Sequence, residues 1–188
     1  MSDGDAQLVE RAVRGESSAY GELYDMYIER IYRFLYIKVG RREDAEDLAQ
    51  TVFLKALENM PRYKDMGYPF SSWLYRIASN AVIDYYRTSR PVVDLEDIDE
   101  AKLGVISKEL EVDVQTALDI TRVKKALSLI KEEYQDVIVL RFIEDMSVKD
   151  VAAFIDKTEG AVKLITHRGL AALRKALGEE NKKAKTKK

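Results

Sequence analysis

Trp73, Arg76, Asn80, Asp84 and Arg87 recur at three- and four-residue spacing within the stretch Phe70 to Arg87, FSSWLYRIASNAVIDYYR. A ring, two guanidiniums and an amide on the solvent side of one helix suit stacking on bases and gripping phosphates. The other side of the same stretch, Leu74, Ile77, Ala78, Ala81 and Tyr85, reads as a face for a core. Just upstream, Arg62, Tyr63, Lys64 and Tyr68 alternate charge and ring in a loop that runs to Pro69. Such a loop has two readings: capture of an extruded base against an aromatic wall, or tyrosines that merely cover the edge of a core.

A second group lies near the C-terminus, in EGAVKLITHRGLAALRKAL. Val162, Thr166, Gly169, Leu173 and Leu177 fall near one helical face and should pack inward. Lys163, Leu164, His167 and Arg168 fall outward, a set that suits a major groove and its phosphates. A helix pair that binds protein has a similar pattern. A third group, Asp47, Gln50, Thr51 and Glu58 around Leu54, is either a solvated face with one stray apolar residue or a small docking patch.

Other chemistries find little support. His167 is the single histidine and there is no cysteine, so the commoner zinc triads fail and no disulfide can form. No G-x-x-x-x-G-K-[ST] or G-x-G-x-x-G run cradles a nucleotide. The carboxylates sit at helix starts and in a linker, where capping and solvation explain them. The expectation is a chain with no catalytic residues, no metal site and no cofactor.

The elements that must position these groups are helical. With 3 Pro and 9 Gly in 188 residues, and long runs of Ala, Leu, Glu, Lys and Arg, the fold class is all-α. Asp5–Arg14 reads as a short helix closed by Gly15. Ser17 or Ser18 caps a second helix that carries Tyr20, Leu23, Tyr24, Tyr27, Ile31, Phe34 and Leu35 and stops at Gly40. Glu43 and Asp44 place negative charge at the start of a third helix, whose stripe is Leu48, Ala49, Val52, Phe53, Ala56, Leu57 and Met60, ended by Pro61. The Trp73 helix is the fourth, and the four form one bundle over 1–90. Residues 91–121 read as an acidic linker with room for a short helix over Glu109–Asp119. A second small domain spans 122–178. Val123, Leu127 and Ile130 mark one helix, and Tyr134, Val137, Ile138 and Phe142 another. Ser147 with Asp150 forms a capping box, Asp156 and Lys157 a turn, and Thr158 a cap on the last helix, a helix-turn-helix arrangement. Residues 179–188, ending NKKAKTKK, read as a disordered basic tail.

The net charge of −2 hides an asymmetry: −1 over 1–90, −7 over 91–121 and +6 over 122–188. A basic final third fits either a solvated surface or a nucleic-acid footprint. No apolar run approaches the roughly 20 residues of a membrane helix. The start, MSDGDAQLVERA, lacks the basic-then-apolar signal pattern, so the expectation is a cytoplasmic chain with no membrane insertion.

Taken together, DAEDLAQTVFLKAL (44–57), FSSWLYRIASNAVIDYYRTSR (70–90) and EEYQDVIVLRFIEDMSVKDVAAFIDKTEGAVKLITHRGLAALRKAL (132–177) resemble a bacterial extracytoplasmic-function (ECF) sigma factor of the sigma-70 superfamily. The resemblance spans Ala6 to Leu177. It implies a promoter-melting domain over 1–90 and a domain over 122–178 that reads the −35 element. It implies that Asp47, Gln50, Thr51 and Leu54 dock on core RNA polymerase. Arg62, Tyr63, Lys64, Tyr68, Trp73, Arg76, Asn80 and Arg87 would then meet the −10 element, and Lys163, Leu164, His167 and Arg168 the −35 duplex. Core RNA polymerase, promoter DNA and an anti-sigma factor are the implied partners. The chain departs from the family at Leu164 and Ile165, where a small polar and a basic residue often stand. The alternative function is a stand-alone helix-turn-helix regulator with a helical sensor domain.

Overall fold

A computed structural model describes residues 3–88 and 122–186, with side chains for 5–88 and 122–178. Among the described residues every regular element is helical. The acidic linker lies outside them. Contacts divide the chain into two compact units, one of Met1–Ser89 with Val139–Leu164, the other of Arg90–Ile138 with Ile165–Lys188. The division runs through the stretch that the sequence sets apart as one domain over 122–178.

In the first unit α1 spans Asp3–Val13, α2 Ser17–Val39, α3 Arg42–Asn59 and α4 Phe70–Thr88. A 3-10 turn, Met60–Arg62, follows α3 with Pro61 at its start. Helix α2 is the centre, packed on α1, α3 and α4. It ends at Gly40, whose φ of 77° lets the N–H turn back to the Tyr36 carbonyl. Ala19, Leu23, Tyr27, Ile31, Phe34 and Leu35 of α2 meet Ala45, Ala49, Val52, Phe53 and Ala56 of α3 in the core. Tyrosines tie the helices at their edges. Tyr20 donates to the Phe53 carbonyl at 2.5 Å, Tyr27 to Asp5 at 3.0 Å, Tyr85 to Asp44 at 2.7 Å and Tyr86 to the Lys38 carbonyl at 2.8 Å. Burial, then Asp44, pushes the Tyr85 phenol up to about 12, so it keeps the proton it donates.

Several sequence expectations change here. Neither serine caps α2. Glu16 occupies the N-cap position without a side-chain cap, because its carboxylate is taken by Arg11 and by Ser18 Oγ. Leu57 is 48% exposed, outside the Ala49, Val52, Phe53 and Ala56 face. In α4 the buried stripe includes Tyr75 and Val82, while Ile77 and Tyr85 are only half-buried.

The rest of the first unit is the Val139–Leu164 segment. It opens with a π-helical turn, Val139–Ile143, which continues the α-helix of Glu132–Ile138. A π-turn carries an extra residue per turn, which shifts every side chain after it around the axis. Phe142, expected in a core, is therefore 55% exposed, while Val139 and Leu140 are buried. Ser147 accepts from the Asp150 N–H at 3.1 Å and opens a helix at Val148–Phe154 that packs on α4. Asp156, in the turn, has φ 53°. Thr158 accepts from the Ala161 N–H at 3.2 Å and caps the last helix, Glu159–Thr186. These three helices, with the helical residues 122–128, are α5 (122–128), α6 (Glu132–Ile138), α7 (Val148–Phe154) and α8 (Glu159–Thr186).

In the second unit Ala126, Leu127, Val137 and Ile138 are buried, and Val123 is 37% exposed. A Cβ at Gly169 would stand 3.2 Å from Ile138 Cδ1 and 3.3 Å from Tyr134 Cβ. Close approach of α6 to α8 explains a glycine in mid-helix. Helix α8 continues to Thr186, through most of the tail that the sequence leaves disordered. Its Glu, Lys and Ala residues are good helix formers, and the helix continues directly from a packed segment, so no new nucleus is needed.

Candidate nucleic-acid interface

The loop 63–69 and the first two turns of α4 form one aromatic wall. Tyr63 sits edge-on to Trp73 at 5.0 Å and to Phe70 at 5.5 Å, and Phe70 is 5.3 Å from Trp73. Phe70 is buried, and anchors the other two, which are half-exposed. Burial, then the charge of Asp65, pushes the Tyr63 phenol up. The ring stays neutral and keeps a donor. Asp65 accepts from the Gly67 N–H at 2.7 Å and closes the loop on itself.

Beside this wall lies a cleft of about 370 Å³ lined by Asn59, Arg62, Tyr63, Lys64, Met66, Trp73 and Ile77. Two cations and two rings converge on it. Asn59, Met66 and Ile77 are additions to the sequence-derived set. Ile77 has a core spacing, yet it is only half-buried and lines the cleft. Met66, 74% exposed, and Asn59 gave no signal in the periodicity.

The rest of the α4 face is less uniform than its spacing suggests. Asn80 is exposed. Arg87 pairs with Asp84 at 3.0 Å, and Lys55 approaches Asp84 at 3.8 Å. Arg76 donates through Nη2 to the Ala153 carbonyl in α7 at 2.8 Å. Tyr68 is 42% exposed and is not among the residues that line the cleft.

On α3, Asp47 and Gln50 are exposed, Thr51 donates to the Asp47 carbonyl, and Leu54 is 61% exposed. Leu57 lies one turn on and extends this patch. On α8, Lys163, Leu164, His167 and Arg168 are all exposed, as two adjacent i, i+4 ridges. Ile165 is buried, so the unusual position on the outer face narrows to Leu164, 49% exposed. Among the described residues no group of three or more His, Cys, Asp or Glu could hold a metal, and no helix is long and apolar enough to cross a membrane.

Residues 23–91 match the family description Sigma-70 region 2, and residues 126–175 match Sigma-70, region 4. The chain is 30% identical to the ECF RNA polymerase sigma factor SigW of Bacillus subtilis, over 90% of this chain and 94% of that one. This chain belongs to the ECF RNA polymerase sigma factors. It is a sigma factor of two matched regions, a subunit that directs RNA polymerase to promoters. A further relative is the ECF sigma factor BldN of Streptomyces coelicolor, 32% identical over 93% of this chain and 66% of that protein. Among solved structures, CnrH in complex with the cytosolic domain of CnrY is similar at a TM-score of 0.73 and 25% identity, covering 94% of this chain and 99% of that one.

Proposed function

We propose that this sigma factor opens promoters by capturing a base of the −10 element in the Tyr63–Trp73 cleft. The observation that carries the reading is the cleft itself. Two rings offer a stacking surface, Arg62 and Lys64 offer charge for the flanking phosphates, and the volume lies in the range of small-molecule sites. Extruding a base costs about a few kcal/mol, and stacking returns about 1–3 kcal/mol per base. The cleft therefore has to act with neighbouring contacts, and Arg76, Asn80 and Arg87 lie further along the same helix to supply them. Tyr68 meets the strand outside the cleft.

Docking on core RNA polymerase falls to Asp47, Gln50, Thr51 and Leu54, with Leu57 added. An exposed apolar pair beside acids and an amide makes a small desolvating centre with a polar rim. The −35 duplex is read by Lys163, Leu164, His167 and Arg168. Residues 1–90 form the polymerase-binding and melting domain, and 122–178 the −35 domain. The two contribute to one promoter complex by effective concentration. The chain acts in the cytoplasm, carries no chemistry of its own, and has an anti-sigma factor as a regulatory partner.

Run-off transcription with core polymerase on fragmented genomic DNA tests the reading. We expect discrete start sites that disappear without this chain. Leu54→Glu should weaken polymerase binding at least about thirtyfold, since residues at the centre of such patches contribute about 2 kcal/mol or more. Polymerase-independent, tight duplex binding with no start sites would support a stand-alone regulator instead.

A further inference from the structure

The outer ridge of α8 carries an apolar residue among cationic and polar ones. Leu164 is 49% exposed, and Lys163 before it and His167 and Arg168 one turn on are exposed as well. An exposed leucine alone means little. This one sits on a helix whose rotation is fixed. Val162 is fully buried, Ile165 is buried, and a Cβ at Gly169 would press on Ile138 and Tyr134. These three residues hold the inner face down, so Leu164 has no way to roll into the core.

Its place along the helix matters as much as its direction. Helix α8 starts at Glu159 behind the Thr158 cap, and Leu164 lies in the second turn. Helices that enter a major groove touch base edges with residues of their N-terminal part. Lys163, His167 and Arg168 bring donors for phosphates and for the acceptor atoms of bases. Leu164 brings neither a donor nor an acceptor. Pressed on an amino group, a ring nitrogen or a carbonyl oxygen, it would strip that atom of water and give no bond in return. One group in the major groove escapes that cost: the C5 methyl of thymine, the apolar group that the bases present there.

We infer that Leu164 is a specificity-determining residue of the −35 contact, reading the C5 methyl of one thymine while Lys163, His167 and Arg168 hold the duplex around it. The inference rests on the proposed −35 role of this ridge and goes beyond it in naming a base. Cations alone grip any sequence through its phosphates. The leucine adds a preference at one position, for thymine over bases that offer only polar groups to the groove.

Deoxyuridine tests this directly, because it keeps every pairing and polar group of thymine and lacks only the methyl. The protein is assembled with core RNA polymerase on a promoter duplex recovered by run-off transcription. The thymines of the −35 segment are replaced one at a time, on both strands. We expect one replacement to weaken promoter binding about fourfold, the equivalent of one buried methyl at about 0.8 kcal/mol. Leu164→Ala should lose a similar factor on the unmodified duplex and should no longer respond to that replacement. Leu164→Met, apolar and close in volume, should keep the response. Leu164 lies outside the packed face, so each variant should fold, and thermal unfolding checks this. Two results overturn the inference: no thymine whose methyl matters to the parent, or the same methyl dependence in Leu164→Ala. Lys163→Ala and Arg168→Ala separate this failure from that of the underlying reading. If they weaken binding while no methyl matters, the ridge reads the −35 duplex and the thymine contact alone is wrong. If they leave binding unchanged, or if no promoter is recovered, the −35 role falls and the thymine contact falls with it.

Discussion

Helices α4 and α8 begin as similar sequences, each with apolar residues on one side and rings or cations on the other. The structure makes them different surfaces. On α4, Trp73 is half-sunk against Tyr63 and Phe70, a loop folds over the first turns, and a cleft results. On α8, Lys163, Leu164, His167 and Arg168 are all exposed, on two adjacent ridges of the helix. A concave aromatic site suits a base taken out of its stack, whereas a convex ridge suits a groove whose bases stay paired. The same helical periodicity serves both. In the proposed reading, what separates strand capture from duplex reading is the loop 63–69.

The contrast is broken most directly at Trp73. Trp73→Ala should lower the yield of opened promoter by about 1–3 kcal/mol, on the order of ten- to a hundredfold, with duplex and polymerase affinity unchanged. Permanganate reactivity of unpaired thymines measures it, and an equal loss in duplex binding would show that the two helices do the same work. Gly169→Val tests the support of the ridge. Its Cβ would press on Tyr134 and Ile138, so we expect a destabilisation of about 1–3 kcal/mol in thermal unfolding, with base capture by α4 intact.

Lys163→Ala should cost a smaller, sequence-independent share of duplex affinity. It should reduce the slope of log affinity against log salt by about 0.9 if the ammonium meets a phosphate. The same substitution should leave strand opening in the assembled complex less affected than Trp73→Ala does. Acid acts on the α4 side through Glu144, whose facing groups are Arg30, Arg33 and Tyr75. Its folded carboxyl titrates below the ordinary 4.5, so its contribution is complete above that value and is lost as pH falls through the depressed folded value. Unfolding measured across that acid range should show the parent losing more stability than Glu144→Gln. The smallest effect belongs to Arg87→Ala. Its exposed pair with Asp84 contributes about 0–1 kcal/mol, so stability by chemical denaturation should barely move.

What the sequence determined by itself was local. Gly40, Ser147 and Thr158 act within a few residues of themselves, and they set helix ends where expected. The outward placement of Leu54, Asn80, Lys163 and Arg168 follows from helical spacing alone. Tertiary structure decided the rest, because burial depends on what arrives from elsewhere in the chain. It turned Leu57 and Phe142 outward, sank Ile165, and made Ile77 cleft lining. It gave Gly169 a reason in the side chains of Tyr134 and Ile138. It also set Glu144 against Arg30 and Arg33, a grouping that no spacing in the sequence announces, since charges more than a hundred residues apart share no period.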